Sequence, residues 1–133
     1  MSLAVVDASV LVAFYAAEDP RRDTVTARLA AGGALFAPAH LDAAIVSALR
    51  GLGRPNPASR DAVPRALRHL AGLPVRRMPL GPLLQRIWEL RDNLTPYDAA
   101  YAALAERLDG PLLTCDSRLA GATGPRCTVV LIT

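Results

Sequence analysis

Along this chain, short unbroken apolar runs alternate with segments in which apolar residues recur at helical spacing. Leu3–Val6 is an apolar run rich in β-branched side chains, the pattern of a strand buried on both faces, and it ends at Asp7. Ser9 is read as the cap of a helix through Val10–Ala16, closed by the turn Glu18-Asp19-Pro20. Asp23–Ala31 is helical in spacing and stops at Gly32-Gly33, after which Ala34–Ala37 reads as a second strand ended by Pro38. Leu41, Ile45, Ala48, Leu49 and Leu52 make an apolar stripe on a helix over His40–Leu52. A loop from Gly53 to Pro57 leads to a helix over Ser59–Leu70, with Pro64 expected near its start, where proline is tolerated. Val75–Met78 is a third strand. Leu83–Leu90 and Pro96–Leu108 are two further helices, the second capped by Thr95 with proline in its first turn. Leu112-Leu113 lead a strand into Thr114-Cys115-Asp116, and Thr128–Ile132 is the last strand.

Short apolar strands between helices predict a mainly parallel sheet covered on both faces. The expected fold is therefore a single α/β domain spanning all 133 residues, with three layers, α/β/α. Ligands of such sheets gather beyond the carboxyl ends of the strands. Asp7 and Asp116 both fall at that position.

Composition changes this picture little. With 52% hydrophobic and 20% charged residues the chain has the balance of a globular domain, so no disordered tract is expected. Met1 to Ala17 is apolar, but it lacks a basic start and carries Asp7 at its centre, which argues against a signal peptide or a membrane span. A cytoplasmic protein is expected. Cys115 and Cys127 lack zinc-like spacing and are read as reduced, packed thiols, while His40 and His69 are read as capping, packing or surface residues. All 15 basic residues are arginine. Guanidinium suits phosphate, but the absence of lysine is better explained by the biased composition of a GC-rich genome. The net charge of +3 is compatible with nucleic acid without indicating it.

The acidic residues carry more. Asp7 stands in Val-Val-Asp-Ala-Ser, Asp98 in the first turn of the Pro96 helix, and Asp116 in Leu-Leu-Thr-Cys-Asp-Ser-Arg. Singly, each has an ordinary role: Asp98 faces the positive end of a helix dipole, and Asp7 and Asp116 suit caps or turns. Converging on one sheet edge, carboxylates ~4 Å apart repel by about 4 kcal/mol per pair at an effective dielectric near 20. A hard divalent cation, Mg²⁺ or Mn²⁺, removes that penalty and supports phosphodiester hydrolysis. The hydroxyls of Ser9 and Thr114 are placed to orient carboxylates or water.

These stretches resemble the PIN-domain family, especially bacterial VapC toxins. Val-Val-Asp-Ala-Ser-Val-Leu-Val is similar to the first family motif, Ala37–Arg50 to the second, Leu-Thr-Pro-Tyr-Asp-Ala-Ala-Tyr to the third, and Leu-Leu-Thr-Cys-Asp-Ser-Arg-Leu to the fourth. The resemblance covers essentially the whole chain and implies a metal-dependent endoribonuclease acting on a structured tRNA or ribosomal RNA. It also implies a cognate antitoxin, a homodimer, and Asp7, Asp98 and Asp116 as catalytic metal ligands. The departure is Ala44, which stands where the second motif carries a glutamate. Asp42 is no substitute, because residues two apart on a helix face different ways. The alanine is either a deliberate inactivation of a toxic enzyme, which the intact flanking motif favours, or a naturally altered site. In both cases catalysis is expected to be severely reduced and the fold kept.

Arg50, Arg54, Arg60, Arg91 and Arg118 are candidates for phosphate contact, each equally well an ordinary surface residue. Phe14, Tyr15 and Trp88 are candidate anchors for a partner, with Phe14 and Trp88 better read as core. A receiver-like signalling domain is the rival from another class, but it needs a lysine and an early acidic pair that the chain lacks. A non-catalytic PIN module that binds RNA or a protein is the nearer alternative.

Overall fold

The computed structural model describes Ser2–Thr133. Its elements are β1 (Leu3–Val6), α1 (Ala8–Tyr15), α2 (Arg22–Ala30), β2 (Ala34–Pro38), α3 (Leu41–Gly53), α4 (Pro57–Gly72) and β3 (Val75–Met78), followed by a single 3₁₀ turn at Gly81–Leu83. Then come α5 (Leu84–Glu89), α6 (Pro96–Leu108), β4 (Leu112–Thr114), α7 (Ser117–Ala120) and β5 (Val129–Leu131). The five strands form one sheet in the order β3-β2-β1-β4-β5, every neighbouring pair parallel. Helices flank it, giving the expected three-layer α/β/α arrangement.

Central strands buried on both faces need continuous apolar runs, and β1 and β4 supply them: Ala4, Val5, Val6, Leu112 and Leu113 are all fully enclosed. Helix α6 lies across β1, β2 and β4. Its buried alanines at 99, 100, 102, 103 and 105 are small enough to bring its backbone close to the sheet. That close approach carries Asp98, in the first turn of α6, to the carboxyl edge of the strands.

Several local expectations are corrected. Asp7, not Ser9, caps α1, its carboxylate accepting from the Ser9 N–H. Asp7 is the extended residue at the end of the strand and can fold its oxygen back, so the helix starts sooner. Helix α4 begins at Pro57 under an Asn56 cap, which leaves Pro64 in mid-helix on an exposed face rather than near the start. The strand before Asp116 stops at Thr114 because Asp116 caps a short helix, α7, that periodicity does not reveal. Trp88, expected in the core, is 63% exposed: α5 is short, and the ring lies outward beneath the Arg91 guanidinium at 4.2 Å. Phe14 does pack against the core, and both cysteines are free thiols, Cys115 buried.

Candidate active site

β1 and β4 are neighbours with Val6 opposite Leu113, so the residues that follow each strand emerge side by side. Asp7 leaves the end of β1 almost fully buried, at 5% exposure. Its Oδ2 accepts from Thr114 Oγ1 at 2.6 Å and from Ser9 Oγ at 2.8 Å. The proton directions follow from the carboxylate, which can only accept. Ser9 Oγ already accepts the Cys115 N–H at 2.9 Å, and Thr114 Oγ1 accepts the Asp116 N–H at 2.9 Å. Each hydroxyl has one proton to give, and both are spent on the same aspartate oxygen. Asp7 Oδ1, with only a 3.4 Å bond from the Ser9 N–H, keeps lone pairs to offer a ligand.

Asp116 caps α7, its Oδ1 accepting the Arg118 N–H at 2.9 Å, with the Arg118 guanidinium 3.6 Å away. Asp98 accompanies the Thr95 cap, donating its N–H to Thr95 Oγ1 at 3.2 Å. Burial raises the Asp98 carboxyl above its ordinary range, and the charges of Asp7 and Asp116 push it further, against the opposing pull of Thr95 and Arg118. Asp98, distant in sequence from Asp7 and Asp116, thus lies where their charges bear on its carboxyl.

The second-motif helix reaches the same edge. The His40 ring sits 4.9 Å from that of Tyr101 and 6.1 Å from that of Tyr97. Its Nε2 and the Tyr101 hydroxyl are buried without a protein partner. Burial lowers the His40 pKa, opposed by the Tyr97 backbone and by Asp7 and Asp98, while burial and then Asp7 raise that of the Tyr101 hydroxyl. His40 and Tyr101 thus belong to the surroundings of the aspartates. In the sequence His40 reads as an isolated residue, and Tyr101 draws no notice. The available signal is spacing: His40 lies four residues before position 44, and Tyr101 three after Asp98, each one helical turn away.

Ala44 is half-buried in the first turns of α3, its N–H bonded to the His40 carbonyl at 3.1 Å. Asp42 is committed elsewhere. Its carboxylate accepts from Arg77 Nη2 at 2.9 Å and Nε at 3.2 Å, and Arg77 also donates to the Leu70, Leu73 and Val75 carbonyls.

Among the described residues no three His, Cys, Asp or Glu side chains gather closely enough to hold a metal ion by themselves. The donor chemistry nevertheless suits a hard, largely hydrated cation: three carboxylates, one of them raised by burial and by the other two, are the repulsive set that a divalent ion relieves. Cavities of about 500 Å³ beside Glu106 and Cys127, and about 470 Å³ among α1, α3 and α4, are lined by other residues. Of the arginines singled out for phosphate, Arg50, Arg54, Arg60, Arg91 and Arg118 are all exposed, and Arg118 alone contacts one of the aspartates.

The chain is similar to several known proteins. The family model described as PIN domain matches residues 4–124. Ribonuclease VapC3 of Mycobacterium tuberculosis is 44% identical over 118 residues, covering 89% of this chain and 85% of its own. Ribonuclease VapC12 of the same organism is 40% identical over 107 residues, covering 80% and 82%. Among solved structures, M. tuberculosis VapC20, described as a Sarcin-Ricin loop cleaving toxin, superimposes with a TM-score of 0.68 at 20% identity, covering 90% of this chain and 96% of its own. At that identity the likeness concerns the fold.

Proposed function

Because the chain belongs to the PIN-domain family, and within it to the VapC-type toxins, we propose that it is a metal-dependent endoribonuclease of a toxin–antitoxin pair, weakened by Ala44. The single observation that carries this reading is that Asp7 and Asp116 emerge side by side from the carboxyl ends of adjacent strands β1 and β4, joined through Thr114, which donates to Asp7 Oδ2 and accepts the Asp116 N–H.

Asp7, Asp98 and Asp116 would hold the cation. When bound, Mg²⁺ or Mn²⁺ supplies an activated water and charge stabilisation for the phosphodiester. The chain's own part is orientation. Thr114 and Ser9 fix one Asp7 oxygen by donating to it and leave the other free. The α7 amide holds Asp116. Asp98, the raised member, takes up a proton early as pH falls, so the site weakens on acidification. Ala44 deprives the site of a fourth carboxylate, and Asp42 has no freedom to replace it while Arg77 grips it.

Structured RNA is the proposed substrate, in keeping with the ribonuclease names of the relatives and with the RNA loop that VapC20 is described as cleaving. A cognate protein antitoxin, a homodimeric state and a cytoplasmic location complete the reading. Among the described residues no helix is long and apolar enough to cross a membrane.

A second reading, a PIN module that binds RNA or a protein without cutting, is favoured by one observation, Ala44 itself. Cleavage of total tRNA and ribosomal RNA with Mg²⁺ or Mn²⁺ separates the two. The chain is compared with Ala44→Glu, with EDTA and Asp7→Asn as controls on the restored protein. Metal-dependent cutting that appears or rises strongly with Ala44→Glu supports the weakened nuclease. Binding without cutting in both forms supports the second reading.

A further inference from the structure

Two exposed side chains each stand beside one of the aspartates, Tyr97 next to Asp98 and Arg118 next to Asp116. Tyr97, immediately before Asp98 on the first turn of α6, is 71% exposed, the largest exposure among the large apolar residues described. His40, at 6.1 Å, is its only aromatic neighbour among the described residues, and no guanidinium covers its ring as Arg91 covers Trp88. Arg118 follows Asp116 on α7 with a side chain 91% exposed. Its 3.6 Å approach to Asp116 is too long and too solvated to commit it, yet its charge reaches Asp98 as well.

We propose that Tyr97 and Arg118 form a nucleotide grip on the rim of the carboxylate site. An unpaired base stacks on the Tyr97 ring, and a flanking backbone phosphate pairs with the Arg118 guanidinium. The inference rests on the ribonuclease reading and adds to it the residues that meet the nucleotides beside the reacting phosphate. Stacking needs a free aromatic face on the solvent side, and an unstacked base provides the partner, whereas a base inside an A-form helix has both faces covered. An anionic site also repels the backbone it must approach, and a cation beside Asp116 offsets that repulsion where the strand arrives.

The two contacts differ in kind, so salt separates them. Stacking is nearly independent of ionic strength, whereas each neutralised phosphate contributes about 0.7 to the slope of log K against log salt on single strands. The chain as written, with its cleavage weakened, serves as the binding protein. The probes are a stem–loop RNA with a randomised loop and a blunt duplex of the same stem, titrated by fluorescence anisotropy without divalent metal at several salt concentrations. The stem–loop is expected to bind more tightly than the duplex. Tyr97→Ala should weaken stem–loop binding roughly tenfold with an unchanged salt slope, and Tyr97→Phe should restore it. Arg118→Ala should lower the slope by about 0.7. Equal affinity for duplex and stem–loop overturns the grip, as does an unaffected Tyr97→Ala, a Tyr97→Phe as weak as alanine, or a slope unmoved by Arg118→Ala. Failure of the unsubstituted chain to bind either RNA overturns the grip, whereas the ribonuclease reading falls only if Ala44→Glu also fails to cut RNA with Mg²⁺ or Mn²⁺. Because both side chains are exposed, the variants should melt with the parent, which a thermal scan checks.

Discussion

Thr114 Oγ1 stands 2.6 Å from Asp7 Oδ2, across two strands whose residues are 107 apart in sequence. The same hydroxyl accepts the Asp116 N–H, and its own proton goes to the Asp7 carboxylate, which can only accept. One threonine thereby joins the Asp7 carboxylate to the Asp116 backbone. Thr114→Val, similar in shape, should remove both bonds and leave a buried carboxylate oxygen and an amide short of partners. A loss of about 1–3 kcal/mol in unfolding free energy is expected, largely recovered by Thr114→Ser. Urea melts measure it, and a valine variant as stable as the parent would show that the hydroxyl does not organise the site.

Asp98 gives a pH signature. Its folded carboxyl is raised, first by burial and then by Asp7 and Asp116, so the folded state holds its proton more tightly than the unfolded chain does. Its contribution to stability therefore falls as pH rises from the unfolded carboxylate value of about 3.9 through the raised folded value. Without metal, Asp98→Asn should be more stable than the parent at neutral pH, with the advantage shrinking as pH falls into that window. Melting temperatures of both proteins across pH in EDTA test this. An advantage that grows on acidification would contradict the raised carboxyl.

Ala44→Glu should act in opposite directions with and without cation. In EDTA a fourth carboxylate adds repulsion and lowers the melting temperature. With Mn²⁺ the same substitution raises affinity, and ligand binding to the folded state alone raises the melting temperature in proportion to the logarithm of cation concentration. Scans over a Mn²⁺ series read both effects. If the glutamate form melts at or above the parent temperature in EDTA, repulsion among these carboxylates is not what the cation relieves.

Arg77 is a structural tie away from the chemistry. Its guanidinium joins Asp42 on α3, two carbonyls at the end of α4 and one on β3. Arg77→Ala should cost about 2–3 kcal/mol, since charged hydrogen bonds are worth roughly 1.5–3 kcal/mol and their carbonyl partners lose a donor. Asp42→Asn should cost less, because Arg77 keeps its carbonyls. Equal losses for the two substitutions, measured by denaturant midpoint, would mean that the ion pair rather than the carbonyl cluster holds this corner.

Much of the molecule was legible from residue order. Leu3–Val6 and Val75–Met78 are strands at the expected bounds, the first because an unbroken apolar run has few other ways to be buried. Thr95 caps α6 as expected, since a threonine before proline satisfies an orphan amide locally. The rule that parallel sheets bind at strand carboxyl ends singles out Asp7 and Asp116. Capping is harder: Asp7 and Ser9 are both suitable, and which oxygen folds back depends on where the strand lets go. Trp88 misleads because a large aromatic is usually buried, while its helix here is too short to turn that face inward.

The sequence by itself determined most of the elements, the parallel α/β class, and the residue types from which a cation site can be made, because these depend on local periodicity and on the chemistry of single side chains. Only the tertiary structure decided which groups meet. It set Thr114 and Ser9 both on Asp7 Oδ2, placed Asp98 within reach of Asp7 and Asp116, and tied Asp42 to Arg77. It also brought His40 and Tyr101 together and left Tyr97 in the open. Contacts of this kind join residues distant in the chain through strand register and the close approach of α6 to the sheet, and no local pattern in the sequence encodes either.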